Sequence, residues 1–167
     1  MGAAINHSRR AFLRGRPAAT TPLRPPWSRD EAAFLDGCTR CHACRDACPQ
    51  GIITMGGGGF PEIDFRRGEC TFCRACVDAC PQPVFLDPAT TPPWNWTAAA
   101  GDACLGHQGI DCRSCADACP AGAIGFALTP RRVAVARIDA GRCTGCGACV
   151  AVCPAAAIRM ARKERAP

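Results

Sequence analysis

The sequence predicts an α+β protein of two tandem modules, preceded by a flexible basic tail, with each module folded around two cysteine motifs. Three observations carry this. One cysteine motif recurs four times along the chain. Short runs of apolar and β-branched residues recur at constant places around it. A proline-rich stretch divides the motifs into two pairs.

The first 28 residues are basic and rich in Pro, and they are expected to form a flexible tail. Residues 29–86 carry the first two motifs. Cys38, Cys41, Cys44 and Cys48 form C-x2-C-x2-C-x3-C, closed by Pro49, and Cys70, Cys73, Cys76 and Cys80 repeat it, closed by Pro81. Between them, residues 51–54 and 61–64 read as short strands joined across a Gly56–Gly59 tip. That tip lacks the Lys-Ser/Thr of a phosphate loop, so it is read as a hairpin end. Residues 87–103 open with Asp87-Pro88-Ala89-Thr90-Thr91-Pro92-Pro93 and are read as a linker, with Trp94 and Trp96 packed on a module surface.

Residues 104–163 carry the other two motifs. The third is a variant. Cys112, Cys115 and Cys119 keep the spacing and Pro120 follows, but the first cysteine is Cys104, across a longer loop. The fourth, Cys143, Cys146, Cys149 and Cys153 before Pro154, is regular. Strands are expected near residues 83–86, 123–126, 133–139 and 157–160. A turn of helix is expected before each final cysteine, and the following Pro drives the chain out of it.

All 16 cysteines fall in these motifs. Such a density has three ordinary readings: disulfides, zinc or iron–sulfur clusters. Zinc sites pair C-x2-C units across a longer spacer and have no use for three evenly spaced cysteines and a fourth before Pro. Disulfides call for a secretory route. The spacing matches [4Fe–4S] ligation, in which three thiolates of one motif wrap a cluster and the fourth, beside Pro, serves the neighbouring cluster. The fold class thus becomes two tandem ferredoxin-like modules, each built around two [4Fe–4S] clusters, four in all. Little Leu, Ile or Phe remains for a large core, so cluster ligation must staple the fold. Small residues between ligands (Thr39, Ala43, Ala75, Thr144, Gly145, Gly147, Ala148) let backbone amides approach cluster sulfur.

Two pairings remain open. In the simple order, cluster A takes Cys38, Cys41, Cys44 and Cys80; B takes Cys70, Cys73, Cys76 and Cys48; C takes Cys104, Cys112, Cys115 and Cys153; D takes Cys143, Cys146, Cys149 and Cys119. A nested order would pair motif one with four and two with three. The proline-rich break favours the simple order. His42 and His107 lie beside ligands, but every cluster already has four cysteines, so neither is needed. No Ser/His/Asp, Cys/His or paired-carboxylate arrangement stands out, and the protein is not expected to be an enzyme.

The formal charge of +6 first points to nucleic acid or a membrane surface. Four clusters at about −2 each reverse that sign, so most basic residues read as charge compensation. Ser8-Arg9-Arg10-Ala11-Phe12-Leu13 has the look of a twin-arginine export signal, but prolines and arginines follow where an apolar run is required, so export is not expected. No stretch of about 18 apolar residues exists, so no membrane span is expected.

Several segments together are more specific than the cysteines. They are Arg9-Arg10-Ala11-Phe12-Leu13-Arg14-Gly15-Arg16, Arg24-Pro25-Pro26-Trp27, the opening Cys38-Thr39-Arg40-Cys41, and the loop Cys104-Leu105-Gly106-His107-Gln108-Gly109-Ile110-Asp111-Cys112-Arg113-Ser114-Cys115. In these the chain resembles the NapF family, ferredoxin-type accessory proteins of the periplasmic nitrate reductase system, from about residue 8 to about residue 162. The resemblance implies a cytoplasmic protein. It implies a partner, the precursor of the catalytic subunit of periplasmic nitrate reductase, contacted before export and assisted in maturation or cluster loading. Arg9 and Arg10 are the expected partner-binding residues. The alternative is an electron-transfer polyferredoxin serving an oxidoreductase.

Overall fold

A computed structural model describes residues 22–128 and 133–163. The Arg9–Arg10 segment lies outside the described residues.

The first module is built on a hairpin and three short helices. Helix α1 (Glu31–Gly37) starts where the Asp30 carboxylate accepts from the Ala33 amide at 3.1 Å, a side-chain cap on one of the orphan donors of the first turn. Its single buried side chain is Phe34, fully enclosed and edge-on to Phe85. Burying one Phe contributes about 1.5–3 kcal/mol. The last residue of α1 is Gly37, where a Cβ would sit 2.7 Å from Val84 Cγ1, and the chain turns extended at Cys38. Helices α2 (Ala43–Asp46) and α3 (Ala75–Asp78) are one turn each and lie before the final cysteine of their motifs. Strands β1 (Ile53–Met55) and β2 (Pro61–Ile63) pair antiparallel, with Ile53 opposite Ile63. The glycine tip between them forms a 3-10 turn, Gly57–Gly59.

The second module repeats the plan with longer strands. Strand β3 (Trp96–Ala100) pairs with β6 (Ile158–Arg162), and β4 (Ile124–Leu128) with β5 (Ala134–Ile138), all antiparallel. Helices α4 (Ser114–Asp117) and α5 (Ala148–Ala151) are again single turns before the last cysteine.

Two expectations are corrected. Composition places the flexible tail at residues 1–28, yet Pro25, Pro26 and Trp27 are buried. Ser28 bridges Phe85, with Leu86 N–H donating to Trp27 O at 2.7 Å and Arg29 N–H to Val84 O at 3.0 Å. Arg24 fixes this segment. Its guanidinium donates twice to Glu31 (3.0 and 2.6 Å) and once to Pro61 O (2.9 Å), and lies over the Phe34 and Phe60 rings. The expected linker at 87–103 in turn contains β3, paired along its length with the last strand. Each module is thus closed by a segment that composition alone marks as irregular, through the single Ser28–Phe85 bridge in the first and through β3 in the second.

The cores include the cysteines. Cys44 and Cys76 are buried together with Ile52, Ile53 and Phe65; Cys115 and Cys149 are buried with Ala98, Ala136 and Ile158. With so few bulky apolar side chains in each set, ligation must do what area burial does elsewhere.

Candidate iron–sulfur centres

The backbone of each regular motif has an alternating twist. Arg40 and His42 lie in the left-handed region (φ 58 and 69), as do Phe72 and Arg74 (φ 55 and 66) and Gly145 and Gly147 (φ 78 and 81). Four of these six are not glycine, and each such residue carries a cost of about 1–2 kcal/mol. Left-handed residues set among right-handed ones turn successive N–H groups inward, making a concavity suited to an anionic guest such as an iron–sulfur cluster. The Phe72 amide donates to Cys70 Sγ at 3.4 Å. After the motifs, Ala123 N–H donates to Cys119 Sγ and Ala157 N–H to Cys153 Sγ, each at 3.3 Å. Amides aimed at ligand sulfur stabilise its negative charge.

The third motif is built differently. Arg113, before α4, has φ −125, and the left-handed residue is Gly109. A run of turns (His107 N–H to Cys104 O, 2.9 Å; Gln108 N–H to Leu105 O, 3.0 Å; Ile110 N–H to Leu105 O, 2.9 Å) coils the longer loop so that Cys104 reaches Cys112 and Cys115. Gly106 is required in that coil, since a Cβ would meet Ala134 O of β5 at 2.5 Å.

The cysteines gather in four sets, in the simple order. A cavity of about 350 Å3 is lined by Cys38, Cys41, Cys44 and Cys80 (set A). Another of about 350 Å3 is lined by Cys48, Cys70, Cys73 and Cys76 (set B). A third, of about 380 Å3, is lined by Cys104, Cys112, Cys115 and Cys153 (set C). In set D, Cys149 stands beside Cys146, Cys143 and Cys119. In each of these sets the last cysteine comes from the other motif of the same module. Among the described residues no three His, Cys, Asp or Glu side chains close tightly enough to ligate a single metal ion. The cysteines of sets A, B and C instead line open pockets. Four soft thiolate donors per set and inward amides fit a [4Fe–4S] core.

The third cysteine of every motif (Cys44, Cys76, Cys115, Cys149) is buried, whereas Cys41 and Cys73 are exposed. Burial, reinforced by neighbouring thiolates, pushes the Cys44 thiol up to about 11 and those of Cys76 and Cys149 up to about 12. Burial also raises Cys70 to about 11, against the lowering effect of the Phe72 amide. Without iron these thiols stay protonated, so iron binding must displace protons. Cys143 differs. Burial raises it, but the Thr97 hydroxyl, the Ala98 and Gly145 amides and the Lys163 ammonium together hold it below the ordinary thiol range. Lys163 Nζ also donates to Cys143 O at 2.8 Å.

His42 lines the set A cavity beside its four cysteines, and His107 is exposed on the third-motif loop. Sequence reasoning missed the left-handed pattern, because Arg40, His42, Phe72 and Arg74 carry no sign of it. It also missed a second duty of Gly145 and Gly147. A Cβ on Gly145 would lie 2.6 Å from Trp94 Nε1, and one on Gly147 would fall inside the Phe65 ring. These glycines leave room for Trp94 and Phe65 on the other side of the cysteine loop.

Two segments of the chain, residues 37–84 and 109–157, match the 4Fe-4S dicluster domain family. The chain is 45% identical over 144 residues to the ferredoxin-type protein NapF of Escherichia coli strain K12, covering 86% of this chain and 87% of that protein. It is 43% identical over 153 residues to the ferredoxin-type protein NapF of Haemophilus influenzae, covering 85% and 86%. A shorter stretch of 46 residues is 46% identical to the methylamine utilization ferredoxin-type protein MauM of Methylobacillus flagellatus.

Proposed function

From the premise that the chain belongs to the NapF family of ferredoxin-type proteins, we propose that it holds four [4Fe–4S] clusters and assists maturation of the catalytic subunit of periplasmic nitrate reductase, by cluster loading, in the cytoplasm before export. The observation that supports this reading most is the likeness along nearly the whole length of both NapF relatives, beyond the cysteine motifs themselves. The protein acts without a catalytic site of its own. The exposed ligands Cys41 and Cys73 are consistent with clusters A and B being the ones within a partner's reach. Among the described residues no helix is long and apolar enough to cross a membrane.

The test is anaerobic copurification of the holoprotein with the catalytic subunit precursor, counting iron on both partners. A stable complex, with precursor iron rising only when this protein is present, is expected. Absence of a complex overturns the maturation role. Replacing Arg9 and Arg10 with Ala is expected to weaken that complex; unchanged binding removes the tail from the interface.

A second reading, an electron carrier, is favoured by one specific contact. The Cys70 amide donates to the Cys146 carbonyl at 2.8 Å, joining a ligand of one module to a ligand of the other.

A further inference from the structure

The cysteine sets are connected in one unbroken order. In the first module, sets A and B exchange their last cysteines, and their buried ligands Cys44 and Cys76 share one core cluster. In the second, Cys153 of motif four lines the set C cavity, Cys119 of motif three stands beside Cys149, and Cys115 and Cys149 share the other core cluster. The modules themselves meet at set B and set D, where the 2.8 Å hydrogen bond from Cys70 N–H to Cys146 O spans the seam.

That seam is built as an apolar, closely fitted contact. Trp94 is edge-on to Phe65 at 5.9 Å and to Phe72 at 5.6 Å, and its Nε1 donates to Thr144 O at 3.1 Å, inside motif four. Phe65 lies on Gly147 and Trp94 on Gly145, with no room for a Cβ at either glycine. Trp94 therefore grips both modules beside the two ligand loops. One-electron transfer between clusters weakens steeply as the gap between them widens, and it is helped by covalent and hydrogen-bonded links. A hydrogen bond between two ligand backbones, flanked by the Trp94, Phe65 and Phe72 rings, keeps that gap short.

We propose that the four clusters form a single one-electron relay in the order A–B–D–C, with the Cys70–Cys146 contact as its inter-module step and Trp94 as the residue that positions it. Cys48, Cys70, Cys73 and Cys76 would hold the donor group of that step and Cys119, Cys143, Cys146 and Cys149 the acceptor; with both bound, one electron would pass from the first to the second and no atom or proton would need to move. A one-electron reductant feeds one end and a one-electron oxidant drains the other. The relay rests on the four-cluster assignment and stands whether or not the protein also loads a partner.

The test is paramagnetic resonance on dithionite-reduced holoprotein. Cys38 serves set A alone and Cys104 set C alone, so the variant Cys38→Ser with Cys104→Ser retains only the clusters of sets B and D, one in each module. Reduced clusters held side by side split and broaden each other's signals, and this variant is expected to show that interaction. Two independent, unbroadened signals would overturn the proposal. The second arm keeps all four cluster sites and does not depend on that variant folding. Trp94→Ala is expected to retain full iron content and the interaction within each module, while losing the part that crosses the seam. Spectra identical to those of the unmutated holoprotein would overturn Trp94's role and the order built on it.

Discussion

Gly147→Ala probes the seam and the ligand loop at once. The residue has φ 81, in the left-handed region, where an L side chain costs about 1–2 kcal/mol. Its Cβ would also fall on Cγ, Cδ1 and Cε1 of Phe65, a buried ring that must move to admit it. Displacing a packed core side chain costs about 1–3 kcal/mol. The two effects together come to about 2–5 kcal/mol. For a chain of this length each kcal/mol lowers Tm by about 2–4 °C, so a 3 kcal/mol loss would appear as about 6–12 °C. The assay is anaerobic thermal unfolding of the holoprotein at a fixed scan rate, followed by circular dichroism and by bleaching of the cluster absorbance. A double-mutant cycle with Phe65→Ala separates the two causes. Without the ring, Gly147→Ala should cost only its backbone share, about 1–2 kcal/mol, leaving a coupling of about 1–3 kcal/mol. An unchanged Tm for the single variant, or strictly additive losses in the cycle, would refute the reasoning.

Other outcomes follow from the same geometry. Cys38 and Cys80 belong to one ligand set although they stand in different motifs, so Cys38→Ser and Cys80→Ser should each lower iron from about 16 to about 12 per chain, and the double variant should lose no more; a further drop to about 8 would restore the nested order. Arg24→Ala removes two hydrogen bonds to Glu31 and one to Pro61 O, costing about 1.5–3 kcal/mol, and limited proteolysis should then open the chain near Trp27. Stripping iron with a chelator should unfold both modules, since Cys44, Cys76, Cys115 and Cys149 are core residues; circular dichroism unchanged after chelation would contradict this.

What the sequence made legible is the ligand chemistry. Spacing alone names the motifs, because three thiolates within seven residues and a fourth before Pro have one common use. For the variant third motif, the structure brings Cys104 beside Cys112, Cys115 and Cys153 through a coil of turns that spacing does not show. Pairing was not readable from spacing, since simple and nested orders use identical motifs; it is carried by long-range contacts, such as Cys80 reaching the Cys38 loop. The Ser28–Phe85 bridge and β3 were missed for a local reason. Trp27 and Ser28 follow two prolines, and β3 follows Pro92 and Pro93, so composition reads as tail and as linker where the chain in fact pairs. Arg24-Pro25-Pro26-Trp27 served as a mark of family before its physical role was visible. Its arginine holds α1 and β2, and its tryptophan is buried with Nε1 donating to Thr91 O at 3.0 Å. Gly145 and Gly147 look like residues that simply clear space for a cluster, and only the fold shows the aromatic rings on their other side.

The central claim is that the four cysteine sets hold four cubane clusters. The most direct measurement is iron, sulfide and zinc on anaerobically purified protein, with Mössbauer spectroscopy of the same sample. The account predicts about 16 iron and 16 sulfide per chain, all in [4Fe–4S] form, and no zinc. Zinc in place of iron, or iron that stops near 12 with the third motif unfilled, would contradict it.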